Sequence, residues 1–415
     1  MSARGFFRML VLLAALATVA FAPSASMAAA ACPRHHKAKG KSNRRACRVR
    51  VHGKRRPSAP AKKASVTGRS GSSTSPSPIA GSSTSSSPIA NSFGKDMFGI
   101  ATGGNLQNED PASQSRDLDV DHNAGARWLR TDINWTQIQN GGPTSYDWGP
   151  IDNVVHGAQA RGMQVLGTIV YTPSWARPPG TEPSYGPNPA LYAAFAAVAV
   201  KHYAAMGVHA YEIWNEPNIQ TSWTPAPNAS AYAALLKAAY VAIKAADPSA
   251  TVVTGGTSPA PSDGTNISPA DFLSGIYAAG GKGFFDAVGH HPYCAPAVPG
   301  DAQDWSPWYQ MYGTQKSLRS VMSDNGDAGK KIWATEFGAA TNGPSGAVSE
   351  AKQAEMITKG YQLWAGYSWA GPMFTYQGRD LGTDPSTREN FFGLMRNDFS
   401  PKPAYSAYQQ LAASL

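Results

Sequence analysis

Cysteine is scarce in this chain: three in 415 residues, at Cys32, Cys47 and Cys294. Their spacing matches no zinc pattern. Cys32 and Cys47 are near enough in sequence to pair in an oxidising compartment, which leaves Cys294 as the odd one. The tandem pairs His35–His36 and His290–His291 lack the Cys or carboxylate partners a metal site needs, so neither a metal nor a cofactor is expected. Acidic residues are missing from the first 70 positions, which hold 16 Lys and Arg. The remainder carries 20 basic against 27 acidic residues, a net −7, so the formal +9 of the whole chain hides a cationic tail on an acidic domain. The apolar run Met9–Ala22 is shorter than the ~20 residues that span a bilayer. No Gly-rich phosphate loop follows the first strand-like run, since "GIATGGNL" matches neither nucleotide fingerprint.

The N-terminus reads as a secretory signal peptide over residues 1–31. Arg4 and Arg8 precede the apolar run, and "PSASMAAAA" supplies small residues for cleavage between Ala25 and Ala31. An exported protein, extracellular or held at the cell envelope, is expected, with no transmembrane anchor after cleavage. Residues 32–70 form a basic tail with 14 Lys and Arg and no acid, expected to stay disordered. Residues 71–92 contain "GSSTSPSPIA" repeated as "GSSTSSSPIA", a Ser/Thr/Pro-rich tether. Such a tail suits an anionic cell-wall polymer, acidic exopolysaccharide or phospholipid headgroups, with no specific nucleic-acid partner expected.

From residue 93 to 415 the pattern changes. Short apolar runs recur near Phe98, Arg127, Met163, Val208, Thr251, Phe285, Lys331 and Gly371, with Ala-rich helical stretches between them. "NPALYAAFAAVAVKHYAAMG" and "NASAYAALLKAAYVAIKAAD" each begin on Asn, a favoured N-cap. Eight strands alternating with helices every roughly 30–45 residues predict an α/β fold, a (β/α)8 TIM barrel. Polar residues at the C-terminal ends of its strands are then the ones to examine.

Two strand ends stand out. "YEIWNEPN" ends the fourth strand on Asn215 and Glu216, and "KIWATEFGA" presents Glu336 near the end of the seventh. Three strand–helix units separate the two acids, which places them across the barrel mouth from each other. Paired carboxylic acids over a cleft suit glycosidic bond cleavage, one protonating the leaving oxygen and the other attacking the anomeric carbon. Arg130 in "RTDINW" is read as support for that centre, against a structural ion pair with Glu212 or Asp132. Glu212, on the same side as Glu216, is read as a barrel-interior partner. Trp135, Trp175 and Trp223 fall in predicted loops, where as a set they are expected to stack on sugar rings.

"WNEPN" followed downstream by "WATEFG" resembles the clan A glycoside hydrolases. "TPSWA" and the ending "GLMRNDFSPKPAYSAYQQL" resemble family 39 and its bacterial exopolysaccharide-cleaving and β-xylosidase relatives, with the cellulase-type family 5 next. The resemblance implies that Glu216 is the general acid/base and Glu336 the nucleophile of a retaining mechanism. It also implies that Asn215 holds a sugar 2-hydroxyl, that Arg130 lies beside the nucleophile, and that His291 and Tyr293 of "HHPY" form the sixth-strand pair, Tyr293 donating to Glu336. At the eighth strand, where relatives often carry a tryptophan, "MFTYQGRD" offers Tyr376 as the floor of the subsite. A secreted retaining β-glycosidase on an oligo- or polysaccharide is the expectation; a barrel that only binds glycan is the alternative.

Overall fold

The computed structural model describes residues 94–415 apart from 302–305. The signal peptide, basic tail, linker, Cys32–Cys47 pairing and His35–His36 expected above all lie outside the described residues.

Eight parallel strands close a barrel in sequence order: β1 (Phe98–Gly103), β2 (Trp128–Asn134), β3 (Gln164–Val170), β4 (Ala210–Ile213), β5 (Thr251–Thr254), β6 (Ala287–His290), β7 (Lys331–Phe337) and β8 (Ala370–Tyr376). Each is followed by a helix, in turn Pro111–Ala124, Gly149–Ala160, Pro189–Ala204, Ala229–Ala246, Pro269–Ala278, Leu318–Asp324, Glu350–Ala365 and Pro403–Ser414. All eight strand positions read from the apolar runs are present. The Asn caps are present too: Asn188 Oδ1 accepts from the Ala190 and Leu191 N–H groups, and Asn228 Oδ1 from that of Ala231. No helix among the described residues is long and apolar enough to cross a membrane.

The barrel interior is layered. Its lower part is an apolar plug to which seven strands give a buried residue each: Ala101, Leu166, Ala210, Val253, Ala287, Trp333 and Phe374, with Trp128 packed against them. Small residues on β1, β4 and β6 make room for the large rings on β2, β7 and β8 because the space is limited. Gly99 and Gly371 leave room for two of the rings, since a Cβ there would stand 2.5 Å from Phe374 and 2.4 Å from Trp333. Two residues further along the strands, the same inward face turns polar with Arg130, Thr168 and Glu212. The plug therefore closes the barrel from below and leaves charge only toward the C-terminal ends of the strands, where loops can deliver substrate.

Candidate active site

The two acids reach the mouth by different backbone devices. In β7 the inward face is Trp333 and Thr335, so simple alternation would turn Glu336 outward. The register with β8 slips between Ala334 and Phe337, where three steps on β7 match two on β8. Such a bulge re-aims a side chain. Phe337 still packs in the outer core beneath the helices, while Glu336 joins the interior. Beyond β4, Trp214 and Glu216 adopt φ of 71° and 48°, the left-handed region that non-glycine residues enter at a cost of about 1–3 kcal/mol. The surroundings hold them there. Trp214 donates its indole N–H to Ser222 O at 2.8 Å, and the Glu216 N–H donates to Gly256 O at 3.0 Å. Asn218 clamps the next turn, donating to Ser258 O and Ile267 O at 2.8 Å and accepting from the Ser258 N–H.

Arg130 is the hub, 1 % exposed. Its Nε donates to Glu212 at 2.6 Å, Nη1 to Glu336 at 2.8 Å and Nη2 to Asn215 Oδ1 at 2.7 Å. Arg130 thus contacts both an interior carboxylate, Glu212, and the candidate acid Glu336. Its ion-pair partner in the interior is Glu212, which also accepts from Thr168 Oγ1 at 3.0 Å and the Gly256 N–H at 2.8 Å. Arg130 lies in the body of β2, four residues before its end, and its long side chain carries the charge to the mouth. Asn215 gives its oxygen to Arg130, and its NH2 group makes no hydrogen bond among the described residues.

Glu336 accepts a second hydrogen bond from Tyr293 Oη at 2.8 Å. Burial opposes its ionisation, but the His291 and Arg130 charges and the Tyr293 and Arg130 hydrogen bonds outweigh burial and hold the carboxyl below the usual range. His291 Nδ1 lies 3.1 Å from Glu216 Oε1 and 3.5 Å from Glu336 Oε2. Burial alone would lower the His291 pKa; the Glu336 and Glu216 carboxylates raise it instead. One imidazole therefore links both acids. Its neighbour His290 is driven down to about 3 by burial and by His291, and its Nδ1 lies 2.9 Å from Thr257 Oγ1.

Glu216, Glu336, Asn215, Arg130, His291 and Tyr293 are thus brought together. Tyr376 ends β8 with its ring edge on Phe392, and burial followed by the Glu389, Glu336 and Asp132 charges drives its hydroxyl pKa well up. The tryptophans divide. Trp135 is fully buried, stacked on Phe195 at 5.3 Å, and Trp223 is wedged between Trp214 and Tyr232. Neither presents a face to a sugar, and the expectation for these two is corrected: each lies behind a strand end, as filler between barrel and helices. Trp175 is half-buried, its indole N–H donating to Gln139 O at 2.9 Å and its ring edge-on to Trp135. Sequence reasoning missed Glu389 and left Asp132 as a possible ion-pair partner. Asp132 sits on the inward face of β2, so its alternation with Arg130 was the available signal; Glu389 lies in the short 3-10 turn Arg388–Phe391 with none. Among the described residues no cluster of three or more His, Cys, Asp or Glu is arranged to hold a metal ion.

A closed (β/α)8 barrel with facing acids beyond β4 and on β7, an arginine between them and a tyrosine after β6 defines a clan A glycoside hydrolase. The chain belongs to the cellulase family, glycosyl hydrolase family 5, whose model matches residues 89–371. No curated protein matches it in sequence. Among solved structures it is similar to a family 39 glycoside hydrolase from the gut symbiont Bacteroides cellulosilyticus WH2, at 25% identity and TM-score 0.61, over 77% of this chain and 64% of that one. The chain thus spans a little under two thirds of that relative's length. It also resembles a monomeric β-xylosidase from Caulobacter crescentus CB15 (19% identity, TM-score 0.57, 77% and 68% covered) and a glucosidase from Croceicoccus marinus (17%, 0.60, 79% and 69%). These two share the fold.

Proposed function

We propose that the protein is a secreted retaining β-glycosidase that cleaves an oligo- or polysaccharide by double displacement. One observation carries the reading: the two acids share a single imidazole nitrogen, at 3.1 and 3.5 Å. Their oxygens are closer together than the sum of those distances, because one N–H cannot address acceptors on opposite sides. That favours the roughly 5–5.5 Å of a retaining pair over the wider gap that an inverting water needs.

Glu336, held ionised by His291, Arg130 and Tyr293, attacks the anomeric carbon while Glu216 protonates the leaving oxygen. Glu216 then takes a proton from water, and that water displaces Glu336 from the glycosyl-enzyme. The Asn215 NH2 group donates to the 2-hydroxyl, a contact that tightens as positive charge develops on the ring. Half-buried Trp175 and Tyr376 meet the sugar. The basic tail holds the enzyme to an anionic cell-wall polymer or exopolysaccharide, near an insoluble substrate.

A 2-deoxy-2-fluoro glycosyl fluoride tests the mechanism. Digestion and mass spectrometry should find the label on Glu336, and proton NMR should show the β-anomer as the first product. Inverted product, or label elsewhere, overturns the reading.

A further inference from the structure

The charges at the mouth do not balance. Five acids converge there: Glu212, Glu216, Glu336, Asp132 and Glu389. Arg130 is engaged by Glu212, Glu336 and Asn215, and His291 is shared by Glu216 and Glu336. A further cation nearby, Arg388, lies over the Phe392 ring at 5.1 Å and forms no ion pair with a carboxylate among the described residues. Asp132 is only 8 % exposed, yet its carboxylate receives no hydrogen bond or ion pair from any described residue. Glu389 likewise has no hydrogen-bond or ion-pair partner among the described residues, and only the more distant charge of Arg388 opposes its burial. Burial, then like charge from Glu336 among others, raises both acids to about 7 despite the opposing pull of Arg130 and Arg388 respectively.

A second, independent feature lies beside Asp132. Gln107 is 6 % exposed, and neither its amide nitrogen nor its amide oxygen has a partner. Gly104 separates the two: the point where its Cβ would stand is 3.2 Å from Asp132 Oδ2 and 3.3 Å from Gln107 Nε2. Buried polar atoms without partners are costly to keep unless something satisfies them. Here a missing side chain leaves a gap between Gln107 Nε2 and the Asp132 carboxylate, just past the end of β1.

We propose that Asp132, with Gln107 and Gly104 around it and Glu389 at the opposite loop, recognises a sugar that bears a free amine, so that the substrate is a glycan with unacetylated amino sugars. This rests on the glycosidase reading and names its substrate class. An ammonium group supplies both the donors and the positive charge that the pocket lacks. A neutral hydroxyl supplies a donor but leaves the charge unbalanced, and a uronate adds a further anion to a site where five acids already outnumber Arg130, His291 and Arg388. Desolvated like charges of that kind reject a ligand strongly.

The test compares 4-nitrophenyl β-glucosaminide, β-glucoside and β-glucuronide as substrates, and separately measures calorimetric binding of chitosan, chitin and oligouronate pentamers to the intact protein. The amine-bearing forms should be preferred at least tenfold in kcat/KM and in Kd, with the uronates last. Asp132→Asn and Glu389→Gln should each cut the amine-to-neutral ratio severalfold, and Asp132→Glu, which keeps the charge, should hold more of it than Asp132→Asn. Thermal melting confirms that each variant is folded. Equal use of amine and neutral sugars, equal losses on both in the variants, or no binding of any pentamer overturns the proposal. Preferential binding of chitosan without hydrolysis of any glycoside would overturn the glycosidase reading and leave the amine pocket standing.

Discussion

A single methyl group at Gly256 should disable the site. An ideal Cβ there stands 2.2 Å from His291 Nε2, 2.4 Å from Thr335 Oγ1 and 2.5 Å from His291 Cδ2, whereas ordinary contact begins near 3.4 Å. The backbone has little room to yield, because the Gly256 N–H is fixed to Glu212 and its carbonyl to the Glu216 N–H. The imidazole must therefore move by about an ångström, a displacement that typically costs about a hundredfold in rate when it reaches the reacting groups. Overpacking of this size also costs about 1–3 kcal/mol of stability. A distinctive consequence follows from the direction of the push. His291 is the strongest charge holding the Glu336 carboxyl down, so displacing it lets Glu336 rise toward ordinary values. The acidic limb of the kcat/KM profile should then shift to higher pH in Gly256→Ala. Melting curves, together with a pH series on an activated aryl glycoside at a temperature where the variant stays folded, measure all three effects. Near-wild-type turnover with an unmoved acidic limb would refute the reasoning, since His291 would then tolerate displacement without consequence for Glu336.

Other outcomes are as specific. Tyr293→Phe removes one of the short hydrogen bonds to Glu336, worth about 1.5–3 kcal/mol, and should lower kcat/KM by roughly 10–150-fold while Tm changes little. Glu336→Gln should abolish turnover, whereas Glu216→Ala should keep partial activity on substrates with good leaving groups and be rescued by azide; identical behaviour of the two would reverse or remove the assigned roles. Trp175→Ala should raise KM more on long glycans than on short ones, and equal loss on all lengths would move it next to the reacting sugar. Asp132, raised from 3.8 to about 7, binds its proton more tightly folded than unfolded, so its contribution to stability is lost as pH rises through that interval. Asp132→Asn should accordingly stabilise the protein at pH 8 by at most about 4 kcal/mol and hardly at all at pH 4, as read from denaturant midpoints; a gain confined to low pH would contradict the sign.

The barrel was legible because its signal is periodic. Eight apolar runs with helical stretches between them leave few other closures, and the Asn caps mark where helices begin. Glu216 and Glu336 were legible as acids at strand ends, but their route into the mouth was not. The β7 bulge and the left-handed turns at Trp214 and Glu216 depend on neighbouring strands, and alternation alone would have turned Glu336 away. Trp135 and Trp223 were misplaced for a related reason: proximity to a strand end does not say whether a ring faces the cleft or the helix layer. Glu389 lies 13 residues past the end of β8 in the short 3-10 turn Arg388–Phe391. It returns to the mouth because buried Lys402 ties the segment down, donating to Asp380 at 2.7 Å, Thr341 Oγ1 at 2.9 Å and Phe391 O at 3.2 Å. A contact between residues 380 and 402 has no local pattern to announce it.

Arg130 belongs to the second strand, but its three acceptors come from the fourth strand, the turn after it and the seventh. A chain cut in the loop beyond the helix Pro269–Ala278 would leave Arg130, Glu212 and Glu216 on one fragment and His291, Tyr293 and Glu336 on the other. Each fragment would be silent, one without Glu336 and the other without Glu216 and the Arg130 guanidinium that helps to hold Glu336 charged. Turnover would return only when the two fragments reassemble into a closed ring, so hydrolysis of a chromogenic glycoside would report directly on their association. The same wiring makes this barrel a natural template for a split reporter, with background set by chemistry and not by residual folding of either half.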